Sequence, residues 1–154
     1  MLRLSKLTDY AIVILSFMAK EELQGHTAVE IASVTGIAVP TVSKILKLLV
    51  NAKILSSTRG AKGGYALARL SENITIAHVI SALEGPIALT ECSISQQGCE
   101  QASGCSIRGN WNLINQTIHN ALASVTLADM VKPAPVPALA WKQEVLIPVA
   151  SLYR

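Results

Sequence analysis

Residues 27–68 read TAVEIASVTGIAVPTVSKILKLLVNAKILSSTRGAKGGYALA, and this stretch decides the fold. It opens on Thr27-Ala-Val-Glu30, the spacing of a capping box, in which a threonine hydroxyl and a glutamate three residues later satisfy a helix's first orphan amides. The short helix so begun stops near Gly36. A further helix can start at Pro40, whose missing N–H is not needed in a first turn, and it runs through Ile45, Leu46 and Leu49 to about Asn51. Two short helices joined through a glycine-containing turn predict a helix-turn-helix. Residues 54–58 then read as a strand, Arg59-Gly-Ala-Lys-Gly-Gly64 as a glycine-rich turn, and residues 65–68 as the returning strand. A basic hairpin directly behind the helix pair is the wing of a winged helix.

The same stretch carries the first functional expectation. With Ile45 and Leu49 facing the core, Thr41, Ser43, Lys44, Lys47 and Asn51 are left on the outer side of their helix. A short, hydrogen-bonding, basic face is what a major-groove reader needs. In the turn, glycines allow close backbone approach, and Arg59 and Lys62 are suited to phosphate. Taken singly, each feature is also what an ordinary wet surface offers. Together they favour DNA.

Outward from this unit, Leu7, Ile12, Ile14, Leu15 and Met18 suit a helix over residues 4–20, buried on much of its circumference. Thr75 caps another helix, running through His78, Ile80 and Leu83 to Gly85. Residues 90–104 show no apolar period and read as loop. From 106 to 124 the large apolar residues fall at Ile107, Trp111, Ile114, Ile118, Leu122 and Val125, in steps of 4, 3, 4, 4 and 3. A long helix with one such seam is best buried against a copy of itself, which predicts a homodimer. The alternative is packing back on its own domain. Thr126-Leu-Ala-Asp129 opens a last short helix, after which Pro133, Pro135 and Pro137 end regular structure. The expected fold is therefore mainly α: a winged helix-turn-helix with a small β-hairpin wing, plus a long C-terminal dimerisation helix. The expected divisions are 1–70 for DNA binding, 71–131 for the loop and dimerisation helix, and 132–154 for a proline-containing tail.

Composition agrees with this outline. The 154 residues are 51% hydrophobic with a formal charge of +3, too apolar for a disordered chain. Residues 1–69 hold nine Lys or Arg against four acids, net +5, and residues 70–154 hold four against six, net −2. The basic half points to a polyanionic partner. No apolar run approaches the roughly 18–20 residues that span a bilayer, and Lys6 and Asp9 interrupt any leader-like start. The expectation is a cytoplasmic protein with no membrane partner and no small-molecule substrate. No nucleophile–base pair, phosphate loop or acid–base dyad appears, so an enzyme is not expected.

The three cysteines stand together as Cys92-x6-Cys99-x5-Cys105, with none elsewhere. An odd number argues against a disulfide framework. Structural zinc prefers paired Cys-x2–4-Cys knuckles and four protein ligands, which this spacing fits poorly. No histidine lies in the loop to act as base for a catalytic thiol. Clustered thiolates suit an iron–sulfur cluster, although spacing by itself leaves zinc and iron both open.

Leu4-Ser-Lys-Leu-Thr-Asp-Tyr10, the wing Arg59-Gly-Ala-Lys-Gly-Gly-Tyr65, the three-cysteine loop and Thr126-Leu-Ala-Asp129 together resemble the Rrf2 (Rrf-two) family of bacterial winged-helix transcription regulators. Glu84-Gly-Pro-Ile-Ala-Leu-Thr-Glu-Cys92, with Arg108-Gly-Asn-Trp111 after the last cysteine, looks most like the branch regulating SUF iron–sulfur assembly genes. The likeness covers about residues 1–131. It implies a homodimer whose iron–sulfur cluster, 2Fe–2S or 4Fe–4S, sets affinity for double-stranded operator DNA, acting as a repressor. Cys92, Cys99 and Cys105 would be the cluster ligands. The histidine that the Isc regulator places three residues after its last cysteine is here Arg108, which has no acceptor and cannot ligate. The family's nitric-oxide sensor instead uses a first-helix aspartate of the partner subunit, and Asp9 matches that position; Glu91 and Glu100 are loop alternatives. Competing readings are a zinc- or thiol-switch regulator without iron, and an interaction module whose helix-turn-helix is merely structural.

Overall fold

The computed structural model describes residues 3–21, 24–60, 63–94 and 104–133, and of Cys92 the backbone alone. Helix α1 (Lys6–Met18) is capped by Ser5, whose Oγ accepts from the Thr8 N–H, and buries Thr8, Ala11, Ile14, Leu15 and Met18 along one stripe. A 3-10 turn (Ala19–Glu21) follows. Helix α2 (Ala28–Thr35) starts on the expected capping box: Thr27 Oγ1 accepts from Glu30 N–H at 3.2 Å, and Glu30 accepts from Thr27 N–H at 3.4 Å. It ends at Gly36, whose φ of 70° lies in the left-handed region that glycine enters without a Cβ penalty. Helix α3 (Val39–Asn51) begins one residue before Pro40 and buries Val42, Ile45, Leu46 and Leu49. A bend of 119° separates α2 from α3, within the range of a helix-turn-helix.

Strands β1 (Leu55–Thr58) and β2 (Gly64–Leu67) pair antiparallel, Leu55 opposite Leu67 and Thr58 opposite Gly64. The hairpin has a third edge that sequence reasoning missed. His26, in the link before α2, exchanges both backbone bonds with Tyr65, at 2.9 and 2.8 Å. Gly64 makes this approach possible, since a Cβ there would lie 2.9 Å from the His26 carbonyl oxygen. The His26 ring is fully buried, tilted against Phe17 with centroids 4.9 Å apart, and donates from Nδ1 to Glu30 at 3.1 Å. That bond, followed by the Thr27 N–H, holds the Glu30 carboxyl below its usual range.

After a 3-10 turn (Ser71–Asn73), α4 (Ile76–Glu84) is capped by Thr75 as expected. The predicted loop over 90–104 is corrected at its start: α5 (Glu91–Ile94) is one helical turn, opened by a Ser93 N–H to Thr90 carbonyl bond of 3.0 Å. One turn is too short to register as an apolar period. Helix α6 (Arg108–Ala123) and helix α7 (Leu127–Val131) close the described chain, the latter on a Thr126/Asp129 capping box. Ile76 N–H donates to Val125 and Leu127 N–H to Ile74, so α7 is laced back beside the start of α4. Ile74, Val79 and Leu127 are fully buried in the same core as α1, α2 and α3, so that core continues past residue 70. Among the described residues no single helix is long and apolar enough to cross a membrane.

Candidate nucleic-acid interface and cysteine segment

The fold turns one face of α3 outward. With Val42, Ile45, Leu46 and Leu49 committed to the core, Ser43, Lys44, Lys47 and Asn51 are exposed and Thr41 is half-buried. Arg59 is exposed where the hairpin turns; Lys62 lies outside the described residues. A Cβ at Gly63 would lie 2.3 Å from the Thr58 carbonyl oxygen, so this tight turn admits only glycine. Among the described residues the ion pairs are His26–Glu30 and Asp129–Lys132, which leaves Lys44, Lys47 and Arg59 without acidic partners. One signal in the sequence went unused. From Ile31 to Ser71 there is no Asp or Glu at all, while Lys44, Lys47, Lys53, Arg59, Lys62 and Arg69 all fall there. Arg69 folds back on the turn before β1, its Nη2 donating to the Lys53 carbonyl at 3.3 Å. Among the described residues, α3 and Arg59 thus present positive charge with no ion-paired carboxylate, suited to the phosphate backbone.

The cysteines belong to a different part of the molecule. The backbone of Cys92 lies on α5, and Cys105 is a half-buried free thiol just before α6. Cys99 and Glu100 lie outside the described residues. Glu91 is exposed on α5, and Asp9 is exposed on the first turn of α1. Among the described residues no group of three or more His, Cys, Asp or Glu gathers as a metal site. The first turn of α6 has no acidic residue and no side-chain cap, and half-buried Arg108 opens the helix. An uncapped, cationic helix start favours anionic groups beside it. A thiolate donor set next to Cys105 fits that environment.

Two side-chain contacts tie this part to the rest. Glu84, at the end of α4, accepts from the Ser5 N–H at 2.7 Å and the Thr8 hydroxyl at 2.5 Å, and the Thr8 bond, then the Ser5 bond, lowers its pKa. Asn115 of α6 bonds the backbone of Ile87 and Leu89. Neither was legible from spacing, because the partners stand far apart in the chain. The apolar stripe of α6 is partly covered within its own chain. It divides, with Trp111, Ile118 and Leu122 half-buried while Ile107, Ile114 and Val125 are exposed. Helix α6 packs on α4 and α5, so part of the seam covers its own domain.

Known proteins share this arrangement. The chain is 34% identical over 105 residues to the protein rrf2 of Nitratidesulfovibrio vulgaris, covering 68% of this chain and 70% of that one. It is 28% identical over 144 residues to the HTH-type transcriptional regulator IscR of Xenorhabdus nematophila, covering 93% and 87%. Among solved structures it resembles CymR, the global cysteine regulator of B. subtilis, with a TM-score of 0.67 at 30% identity over 85% of this chain and 97% of that one. T. potens IscR gives 0.65 at 27% identity, covering 87% and 89%. The family described as iron-dependent transcriptional regulators matches residues 4–133, and the similar chains are regulators of transcription: the chain is a DNA-binding transcription regulator of the Rrf2 family, not an enzyme.

Proposed function

We propose that the protein is a cytoplasmic homodimeric repressor of iron–sulfur assembly genes whose DNA affinity follows the state of a cluster held by its cysteines. The observation that carries the DNA contacts is the exposed stripe of α3, together with exposed Arg59 at the hairpin turn, none ion-paired to a carboxylate among the described residues. Thirteen residues make α3 about 20 Å long, and a helix diameter of about 10–12 Å matches a major groove about 12 Å wide. Thr41, Ser43, Lys44 and Lys47 would meet base edges, and Arg59 and Lys62 the flanking phosphates. Ile107, Leu113, Ile114 and Val125, exposed on and beside α6, would bury against the second copy; Leu113 is 69% and Ile114 44% exposed.

For the sensor, Cys92, Cys99 and Cys105 would supply three thiolates, and Asp9 of the partner subunit the fourth ligand. The exposure of Asp9 on α1 supports a reach across the dimer. When bound, the cluster supplies one-electron redox chemistry. The thiols would hold it, and Arg108, at the cationic start of α6 next to Cys105, would offset the negative charge of the donors. Likeness to a cysteine regulator, with Cys105 as a half-buried free thiol, favours a second reading, a thiol or zinc switch without iron.

Anaerobic purification separates the two. The expected protein is brown, with iron and acid-labile sulfide; Cys105→Ala removes both, and Asp9→Ala leaves a dimer whose cluster decays faster. A colourless wild type that carries zinc or no metal, and changes DNA affinity on reversible thiol oxidation, establishes the switch instead.

A further inference from the structure

The segment between α4 and α5 has no regular structure, yet it is held at both ends. At its start Glu84 is bonded to Ser5 and Thr8 of α1. Gly85 then adopts φ 87° and ψ −166°, a backbone region open to glycine, and Pro86 restricts the next φ. Three residues further the chain meets Asn115. Its Oδ1 accepts from the Leu89 N–H at 3.1 Å, and its Nδ2 donates to the Ile87 carbonyl at 3.0 Å. Both ends of one amide are used on one residue pair, as a neighbouring strand would use them. A slip of the segment by a single residue breaks both bonds together. Two residues after Leu89 the chain enters α5, which carries Cys92. Asn115 shares its helix face with half-buried Trp111 and Ile118, so it is positioned by packing against its own domain.

We propose that Asn115 is a positioning residue that registers the Cys92 segment on α6, so that a change at the cysteines is passed to α6 directly and, through Glu84, to the first turn of α1. Without the clamp the cysteine segment moves independently of both helices. The proposal rests on the sensing reading above, and its test is arranged so that the two fail separately.

Full-length wild type, Asn115→Leu and Asn115→Asp are compared in two measurements. The first is hydrogen exchange of the metal-free, reduced proteins over residues 87–94. Leucine removes both bonds at similar volume, and aspartate keeps the acceptor but turns a second acceptor toward the Ile87 carbonyl. Leucine should speed exchange at Leu89, and aspartate should do so less because it keeps that acceptor, with melting temperature and reduced-state operator binding close to wild type in both. The second is the ratio of operator affinities between the reduced, metal-free state and protein reconstituted with ferrous iron and sulfide or oxidised with diamide. A coupling in the usual range of about 5–150-fold in the wild type should shrink at least severalfold in both variants. Unchanged exchange at Leu89, or an unchanged ratio beside a wild type that does respond, overturns the proposal. A wild-type ratio of one for both treatments sinks the sensing reading instead, and the exchange of residues 87–94 then decides the clamp alone.

Discussion

The winged-helix part and α6 are both helical, but they are stabilised differently. Helices α1, α2 and α3 each bury apolar side chains completely, and the hairpin closes over them through Tyr65 and His26. Sixteen-residue α6 buries no residue fully. Its inward face is half-covered by α4 and α5, and its outward face shows leucine and isoleucine to solvent. Full burial of a Leu or Ile side chain contributes about 1.5–3 kcal/mol, so the core that α1, α2 and α3 share with Ile74, Val79 and Leu127 supplies packing that α6 lacks. Half-burial contributes less, and the outward side chains contribute only when another surface covers them.

The largest expected effects test that contrast directly. Leu49→Ala should lower stability by about 2–5 kcal/mol, read by denaturant or thermal unfolding, because a fully buried leucine leaves a cavity. Leu113→Ala in the monomer should stay within about 0.5 kcal/mol of wild type. Similar losses at both positions would erase the distinction between the two parts.

Ile114→Asp comes next. In one subunit the carboxylate stays solvated, so folding should survive, while in a dimer seam it would be buried unpaired at a cost of several kcal/mol. Sedimentation should then show a folded monomer that no longer holds operator DNA. A variant that remains dimeric places the interface elsewhere on the molecule.

Within the DNA surface the effects are smaller and differ in kind. Arg59→Ala should weaken binding to all sequences alike and reduce the salt slope by about one. Ser43→Ala or Lys44→Ala should change which operator is preferred, by about 1–3 kcal/mol per lost base contact. Titration of binding against salt on matched and scrambled duplexes separates the two. Equal behaviour of Arg59→Ala and wild type at every salt concentration removes the wing from the interface.

The smallest effect concerns Asp129. Bonds from the Thr126 hydroxyl, the Thr126 N–H and Lys132 lower its pKa from 3.8 to about 2. A carboxyl depressed by folding adds stability above its unfolded pKa and loses it as pH falls through the folded one. Asp129→Asn should therefore flatten the decline in melting temperature between about pH 4 and pH 2 relative to wild type. An unchanged acid limb removes Asp129 from that decline.

How much of this was legible depends on the distance between partners in the chain. The caps at Thr27, Thr75 and Thr126 join residues three apart, and the stop at Gly36 needs one glycine; such local chemistry is written in the sequence. The outward face of α3 follows from its 3.6-residue period once Ile45 and Leu49 are placed inside. Both strands differ by a single residue from the expected 54–58 and 65–68: the first begins at Leu55, with Ile54 buried in the core and its carbonyl accepting from Ala68, and the second runs from Gly64 to Leu67. The sequence by itself therefore determined the caps at Thr27, Thr75 and Thr126, the stop at Gly36, the hairpin, the outward face of α3 and the grouping of three thiols along the chain. Only the tertiary structure decided that His26 pairs with Tyr65 along the hairpin, that α7 is laced to Ile74, that the α6 stripe is only partly covered by its own domain, and that Glu84 and Asn115 bond the link from α4 to α5. A period states that a helix has an apolar face but not what lies opposite it, and a polar side chain 28 or 76 residues from its partner leaves no pattern that spacing can show.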